Sequence, residues 1–364
     1  MNLQNAINAF AFDGTPFYSE PFGCGLINRT YAIYCKFEND PPIRYMMQRI
    51  NTHVFKDPEG LMENIVSVTQ FLQKQIAAEG GDPTRGTLNM TPTKDGKYLY
   101  VDEEGGCWRA YRLIEHAVSY QSVENPEIFR EAARAFGDFQ KKLSAFPADR
   151  LHETIPQFHD TAKRFRDFTA AVERNTSGRL ALVEKEVAFI RAREADCSRI
   201  VDAIAAGDVP LRVTHNDTKL NNILMDPDTD RAVCILDLDT IMPGSALYDF
   251  GDSIRFGASS AAEDEKDLSK VYMKLDLFEK YVEGFMEGVD GRLTDGEKKL
   301  LAFSAKLLTL ECGMRFLTDY LDGDVYFHTK YADHNLDRCR TQLKLVADME
   351  AKMADMEAIV AKYC

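Results

Sequence analysis

The sequence lacks the cysteine and histidine patterns that mark a disulfide framework or a zinc site. Eight cysteines are present without a CxxC pair, and seven histidines without an HExxH or similar ligand spacing. Several of the cysteines stand inside apolar runs, as buried thiols do in proteins of a reducing compartment. We therefore expect reduced cysteines in a cytoplasmic protein and no structural zinc.

Long apolar runs and net positive charge are also missing. No stretch approaches the about 18 apolar residues of a membrane span, and residues 1–5 lack the basic start of a signal peptide. The formal net charge is −14 at pH 7, which repels DNA and anionic membrane surfaces. We expect neither as a partner, and we expect a monomer or a weak homodimer.

Strand patterns dominate the first third of the chain. Apolar and polar positions alternate over residues 31–35 and 44–50, and residues 98–101 and 108–114 form a hairpin pattern around two glycines. Between them, apolar residues from Glu59 onward repeat at helical spacing. This part of the chain is predicted to be β-rich with one sizeable helix.

Helical patterns dominate the rest. They comprise a helix after Asn125, a long helical tract over residues 180–206, a helix that Thr294 and Glu297 begin with a capping box, and a last long helix over residues 336–360. Two short apolar strands interrupt them, at residues 211–214 and 232–236. We predict an α+β, bilobal fold of the protein-kinase type: a small β-rich N-lobe (residues 1–115) and a larger, mostly helical C-lobe (residues 116–364).

The most specific pattern lies between these two short strands. The first delivers His215 and Asp217, Asn222 follows five residues later, and the second strand ends at Asp237. Phosphoryl transfer needs a carboxylate that orients the acceptor hydroxyl and takes its proton, and hard oxygen ligands for Mg²⁺ on the nucleotide phosphates. Asp217 suits the first role, and Asn222 and Asp237 suit the second.

A single aspartate at a strand end is more often a turn or cap residue. The combination of HxD, an asparagine at a fixed offset and an apolar strand ending in aspartate is hard to explain in that way. Asp239, two residues after Asp237, is expected either to brace the loop or to help hold a second metal ion.

The pattern HxDxxxxN, followed by an apolar strand and aspartate, resembles the aminoglycoside phosphotransferase and choline kinase group, which are relatives of protein kinases. The blocks 211–226, 241–245, 249–258 and 311–316 look like those of the N-acetylhexosamine 1-kinases, and the resemblance extends over residues 8–360. It implies Mg²⁺-dependent transfer of the ATP γ-phosphate to the anomeric 1-hydroxyl of a small-molecule sugar, GlcNAc or GalNAc.

The same resemblance assigns nucleotide contacts to the N-lobe. Gly23 and Gly25 stand where kinase-like proteins fold a loop over the phosphates, although a plain hairpin turn explains two glycines equally well. In those kinases a histidine aligns with Leu26. Gln48, beside Arg49, stands where the phosphate-pairing lysine is expected, so the usual lysine–glutamate pair is in doubt.

Further N-lobe positions follow from the alignment. Glu63, on the next helix, is the candidate for the glutamate of that pair, with a surface residue as the alternative. Ile114 and His116 fall where an interlobe hinge meets the adenine, through backbone groups.

Four residues are candidates for the sugar site: Asn216, Phe256, Arg315 and Tyr326. Arg315 stands in an apolar run, so its charge needs a partner or solvent. It is either half of a buried arginine–aspartate pair or a donor fork toward sugar hydroxyls and the acetamido carbonyl. Phe256 and Tyr326 are either apolar surface for the sugar or ordinary core.

Two other functions stay open at this level. One is a kinase of the same fold for homoserine, choline or an aminoglycoside. The other is a catalytically inactive kinase-like binding module, which Gln48 favours and the intact Asp217, Asn222 and Asp237 oppose. The sequence does not rank GlcNAc against GalNAc, because these epimers differ at one hydroxyl.

Overall fold

The structure, a computed structural model, describes residues 3–23, 27–37 and 41–364. The chain folds into two compact units, each assembled from three stretches of sequence. The first unit comprises Met1–Ser119, Ala145–Pro156 and Ile223–Met242, and the second comprises Tyr120–Ser144, Gln157–Asn222 and Pro243–Cys364. The lobe boundary expected at residue 115 lies near the first passage between the units, and the chain then returns to the first unit twice.

The helices and strands alternate in the first part of the chain and are mainly helical afterwards. Up to residue 142 the elements are α1 (Leu3–Ala9), β1 (Thr15–Pro21), β2 (Arg29–Lys36), β3 (Ile43–Arg49), α2 (Pro58–Ala78), α3 (Pro83–Gly86), β4 (Met90–Thr91), β5 (Tyr100–Val101), β6 (Cys107–Arg112) and α4 (Pro126–Lys142). They continue with α5 (Thr161–Arg174), α6 (Glu184–Arg191), α7 (Arg199–Ala205), β7 (Arg212–Thr214), β8 (Ile223–Met225), β9 (Ala232–Ile235), β10 (Met242–Gly244), α8 (Ala246–Gly257), α9 (Leu275–Val289), α10 (Asp295–Asp322), α11 (His334–Ala351) and α12 (Met353–Tyr363). The predicted α+β class is confirmed.

An antiparallel sheet forms the centre of the first unit. Its strand order is β1-β2-β3-β6-β4, and β5 pairs with β6. Because side chains alternate along a strand, Tyr45 and Met47 of β3 face α1 in an apolar core. Gln48 therefore lies on the opposite face, paired in register with Thr30 of β2 and Arg109 of β6.

A buried amide joins the separate stretches of the first unit. Asn64 of α2 donates its Nδ2 to the carbonyl oxygens of His152 (2.8 Å) and Ile241 (3.0 Å), and its Oδ1 accepts the His152 N–H (2.8 Å). A buried donor or acceptor left without a partner is costly. These bonds therefore hold the returning segments against α2.

The second unit is built around α10. Its apolar face packs with α5, α6 and α11, and the predicted capping box of Thr294 and Glu297 begins it. Helices α4 and α9 pack unusually closely, because a Cβ at Gly284 or Gly288 of α9 would stand 2.0 or 2.2 Å from a carbonyl oxygen of α4. This packing fixes the helix that carries Gln140, a residue of the candidate site.

Two long helices predicted from the sequence are broken in the structure. The tract over residues 180–206 consists of α6, α7 and short 3-10 turns. Its buried residues Val187, Ile190, Cys197 and Ile200 keep helical spacing across the breaks, so periodicity alone did not reveal them. The last helix divides at Lys352, whose Nζ donates to the Met273 carbonyl (2.8 Å), a contact remote in sequence.

Seven cysteines fall within the described residues, and all seven are free thiols. Cys24 lies outside these residues. Over the same ranges, the helices are all too short or too polar to cross a bilayer.

Candidate active site

The loop after β7 brings the predicted residues Asp217 and Asn222 into contact. Asn222 donates its Nδ2 to the Asp217 carbonyl oxygen (2.8 Å) and to Asp217 Oδ2 (3.1 Å). The other carboxylate oxygen of Asp217 pairs with Lys219 Nζ at 2.6 Å, and 28% of the Asp217 side chain is exposed. The loop therefore presents a carboxylate that is held on both oxygens and still reaches solvent.

Two carboxylates of α8 hold the backbone of this loop. Asp249 accepts the N–H of His215 (3.1 Å) and Asn216 (2.8 Å), and Asp252 accepts the N–H of Thr218 (3.1 Å). Asn216 has φ 64°, a left-handed conformation that asparagine tolerates better than most residues. These charge-assisted bonds stabilise the strained peptide immediately before Asp217.

Asp249 is itself anchored from α4. Gln140 donates its Nε2 to Asp249 Oδ2 (2.7 Å) and to the Val213 carbonyl oxygen (3.0 Å). Burial raises the pKa of Asp249, while His215 and these hydrogen bonds oppose the rise. The carboxylate is thus a structural group whose acceptor capacity is taken up by the loop and by Gln140.

His215, the histidine of the HxD pattern, lies inside the second unit. It is fully buried, its ring packs edge-on against Phe136 and Phe139, and its Nδ1 accepts the N–H of Asp217 at 3.3 Å. It positions Asp217 and is not itself placed for chemistry.

Lys219 is a functional candidate that the sequence analysis missed. Burial opposes its charge, but Asp217 and then Asp252 outweigh burial and raise the pKa of the lysine. Lys219 is therefore a fixed cation beside the carboxylate of Asp217. The available signal was its position two residues after Asp217 on the same loop.

Asp237 lies two residues after the end of strand β9 in the first unit. It adopts the left-handed conformation (φ 55°, ψ 58°) at the start of the 3-10 turn Leu238–Thr240. Asp239 within this turn is buried, pairs with Arg109 and accepts Asn28 Nδ2 at 2.6 Å. Of the two roles considered for Asp239, these contacts support bracing.

The donor atoms on these loops suit a hard cation. The amide nitrogen of Asn222 donates hydrogen bonds to Asp217. The side-chain carbonyl oxygen of Asn222 is therefore the atom that it can offer to a metal ion. Asp237, in the first unit, carries a carboxylate, and each of these oxygen donors is of a type that Mg²⁺ takes. The fit rests on residue chemistry within each unit.

The position expected for the phosphate-pairing lysine is organised around Arg109. Gln48 Oε1 accepts both Arg109 Nε (2.9 Å) and Nη2 (2.7 Å), and Gln48 Nε2 donates to Thr30 Oγ1 (3.2 Å). Arg49, on the other face of β3, is close to Gly106. The hydrogen bond from Trp108 foremost, and Arg49 more weakly, lower the pKa of Asp102. Gln48 and Arg49 are therefore not brought together.

The remaining N-lobe candidates are Glu63, Ile114, His116, Gly23 and Gly25. Glu63 pairs with His152 at the surface (2.7 Å), which matches the surface alternative considered for it. Ile114 is buried after β6, and His116 (φ 50°) pairs with Asp228 (2.7 Å). Gly23 is exposed with φ 71°, whereas Gly25 and Leu26 lie outside the described residues.

Arg315 stands among aromatic rings. Its guanidinium carbon lies 5.2 Å from the ring centre of Phe158, 5.6 Å from Phe327 and 6.0 Å from Tyr326. Within the described residues it has no acidic partner at ion-pair distance, so the arginine–aspartate pair considered above is not formed. Burial, followed by the nearby Arg315, lowers the pKa of Arg164, so two cations share this part of the second unit.

A buried network links this cluster to the loop of Asp217. His159 Nδ1 donates to Glu311 (2.7 Å), one helical turn before Arg315, and His159 Nε2 contacts the Asn216 carbonyl oxygen (3.3 Å). Thr161 Oγ1 donates to the second carboxylate oxygen of Glu311 (2.5 Å). Neither His159 nor Glu311 was a sequence candidate, since nothing in the local pattern places them near Asn216.

Tyr326 and Phe256, the two aromatic candidates for the sugar site, differ in exposure. Tyr326 is 60% exposed, and its backbone N–H is held by Asp319 (2.7 Å). Phe256 is half-buried on α8. Arg315, Tyr326 and Asn216 thus belong to one connected region of the second unit.

Part of the chain matches a known protein family. Residues 94–272 match the model of the phosphotransferase enzyme family, APH. This match supports the predicted family and the predicted class of enzyme, a phosphotransferase. The N-acetylhexosamine acceptor stays a prediction.

Solved structures share the fold along the whole chain. A spectinomycin phosphotransferase in complex with ADP and spectinomycin is 12% identical, with 97% of this chain and 98% of that chain covered at a TM-score of 0.59. An aminoglycoside phosphotransferase from Alicyclobacillus acidocaldarius is 12% identical (99% and 96% covered, TM-score 0.63). A choline kinase from Cryptosporidium parvum is 13% identical (94% and 91% covered, TM-score 0.54). The predicted protein-kinase-like fold is confirmed.

Proposed function

We propose that this chain, whose residues 94–272 match the phosphotransferase enzyme family, transfers the γ-phosphate of ATP to the anomeric 1-hydroxyl of an N-acetylhexosamine, GlcNAc or GalNAc. The reaction class follows from the loop of Asp217, Lys219 and Asn222. The sugar follows from the sequence resemblance. The observation that carries the choice of acceptor is the environment of Arg315.

Asp217 orients the acceptor and accepts its proton. An anomeric hydroxyl is more acidic than an ordinary alcohol, so a carboxylate is a sufficient base for it. Contacts from Asn222 and Lys219 fix the orientation of this carboxylate, which matters because phosphoryl transfer depends mainly on alignment. Lys219 also places positive charge where the transferred phosphoryl group gains negative charge.

Mg²⁺ is the metal ion that we assign to the nucleotide phosphates. Asn222 offers an amide oxygen and Asp237 a carboxylate, which are ligand types that Mg²⁺ takes. When bound, the ion neutralises phosphate charge. Asp217, Lys219 and the backbone held by Asp249 perform the steps at the acceptor hydroxyl.

The surroundings of Arg315 disfavour a cationic acceptor. Choline and aminoglycosides would meet the charges of Arg315 and Arg164, and the rings that attract cations already face Arg315. A sugar hydroxyl or acetamido carbonyl accepts hydrogen bonds from such a guanidinium without a charge conflict. Homoserine is the second candidate, because its carboxylate would pair with Arg315.

An acceptor panel tests this proposal. Purified protein with Mg-ATP is offered GlcNAc, GalNAc, galactose, homoserine, choline and kanamycin, with ADP release measured and the phosphate position determined by ³¹P NMR. We expect turnover with an N-acetylhexosamine and a sugar 1-phosphate product. Turnover confined to homoserine, choline or kanamycin would refute the sugar, and the absence of any acceptor-dependent ADP would favour an inactive module.

The variant Arg315→Met probes the acceptor site in the same assay. We expect a higher KM for the sugar with an unchanged KM for ATP. Arg174→Met is the matched control, because Arg174 pairs with Asp322 at the surface of the second unit. Equal effects of the two variants would remove Arg315 from the acceptor site.

A further inference from the structure

The face of the sheet that carries Gln48 holds a buried arginine with an unusual set of partners. Arg109 donates Nε and Nη2 to Gln48 Oε1, and its Nη1 pairs with Asp239. Its side chain is 5% exposed. All three guanidinium nitrogens therefore point at groups of the first unit.

Gln48 has a specific place in this arrangement. A lysine at this position would put a second cation against Arg109, whereas the glutamine offers a neutral oxygen that accepts two of its N–H groups. Thr30 fixes the amide from the other side by accepting Gln48 Nε2. The substitution that weakens the usual lysine–glutamate pair thus creates the acceptor that holds Arg109.

Asp239 connects Arg109 to the predicted metal ligand. It lies two residues after Asp237 in the 3-10 turn Leu238–Thr240, and Asn28 Nδ2 also binds it (2.6 Å). Burial opposes the charge on Arg109, but Asp239 foremost, and Asp237 more weakly, raise the pKa of the guanidinium. Arg109 is therefore tied through Asp239 to the turn that follows Asp237.

We propose that Arg109 is a positioning residue for the nucleotide-bound metal: held by Gln48, it fixes through Asp239 the turn that carries Asp237. This arrangement supplies a positive charge beside Gln48, which stands where the lysine was expected. The inference rests on the proposed kinase function and adds a residue to the metal site. Groups that orient metal ligands typically contribute about 10- to 100-fold to metal affinity.

Binding measurements without an acceptor test this role. The dissociation constant of ADP is measured by calorimetry with and without Mg²⁺ for the wild type, Arg109→Gln and Arg109→Lys, and folding is checked by circular dichroism. We expect Arg109→Gln to bind Mg-ADP about 10- to 100-fold more weakly while metal-free ADP binds within about twofold. Lysine keeps the charge but cannot engage Gln48 and Asp239 together, so Arg109→Lys should show a smaller loss of the same kind.

Arg134→Gln is the matched control. Arg134 makes a similar forked contact to the buried Glu131 on α4 (2.6 and 2.8 Å), away from the sheet. Arg134→Gln should leave the Mg²⁺ dependence of ADP binding unchanged. If Arg109→Gln does not fold, the Mg-ADP affinity of Arg109→Lys alone decides whether Arg109 has the proposed role.

Three results would overturn the inference. A folded Arg109 variant whose ADP affinity rises with Mg²⁺ as much as that of the wild type would show that the turn does not need this residue. An equal loss of ADP affinity with and without Mg²⁺ would indicate a general structural role for Arg109. Absence of Mg²⁺-dependent nucleotide binding in the wild type would overturn the proposed kinase function, and this inference with it.

Discussion

Asn222 donates its side-chain amide twice to Asp217, once to the carbonyl oxygen and once to the carboxylate. The two residues are five positions apart in sequence, and the short 3-10 turn Leu220–Asn222 brings them into contact. The carboxylate of Asp217 is therefore restrained before any substrate binds. Pre-orientation of this kind is what phosphoryl transfer requires.

Asp217→Asn should reduce kcat by about 10²- to 10⁴-fold, the usual contribution of a general base. Nucleotide affinity should change little, because the substitution keeps the shape of the loop. Single-turnover ADP formation and ADP calorimetry measure the two quantities. Asp208→Asn, at an exposed aspartate, is the control, and near-native turnover in Asp217→Asn would remove this residue from its assigned role.

Lys219→Met should lower kcat with little effect on the KM of the acceptor, because the ammonium is proposed to act on charge that develops during transfer. Lys219→Arg keeps the charge and should recover part of the rate. Steady-state kinetics with both substrates varied separate these effects. A rise in acceptor KM at unchanged kcat would instead assign Lys219 to substrate binding.

Asp319 organises the loop that carries Tyr326. It accepts the backbone N–H of Val325 (2.9 Å), Tyr326 (2.7 Å) and Phe327 (3.0 Å). Asp319→Asn turns one acceptor into a donor and should cost about 1–3 kcal/mol of unfolding free energy. It should also raise the KM of the acceptor about 3- to 10-fold, or about 0.7–1.4 kcal/mol.

Urea unfolding and acceptor kinetics check this prediction. Asp322→Asn is the matched control. Asp322 lies three residues further along α10 and pairs with Arg174, and this variant should change neither the unfolding free energy nor the acceptor KM appreciably. An unchanged acceptor KM in a destabilised Asp319→Asn protein would show that the loop does not contact substrate.

Glu311 predicts a pH dependence of stability. Burial works against its charge, but His159, then Arg315 and Thr161, lower the pKa of Glu311 from its ordinary value of 4.5. A carboxylate with a lowered folded pKa stabilises the protein fully above pH 4.5, and this contribution is lost as the pH falls through the folded value. Glu311→Gln also weakens the hydrogen bonds to His159 and Thr161 and should cost about 1–3 kcal/mol at neutral pH.

The unfolding free energies of wild type and Glu311→Gln should converge as the pH falls below 4.5. Urea titrations at a series of pH values measure the difference. Glu173→Gln, at an exposed position of α5, should show no such convergence. A constant difference between wild type and Glu311→Gln across the series would contradict the assigned pKa direction.

Local patterns predicted much of the framework. The alternation in β2 and β3, the capping box of Thr294 and Glu297 and the HxDxxxxN spacing are short-range features, and each appears in the structure. They were predictable because strand alternation, capping and loop length involve residues a few positions apart. The break in the last helix was not, because Lys352 contacts the Met273 carbonyl oxygen, which is remote in sequence.

The sequence by itself determined the class of chemistry, since Asp217, Asn222 and Asp237 stand at fixed offsets from apolar strands. Only the tertiary structure decided which residues support them: Arg109 against Gln48 and Asp239, and His159 between Glu311 and Asn216. The reason is physical. A buried charge must find its partner wherever the fold brings one, and these partners are 57 to 152 positions apart, beyond the reach of any local pattern.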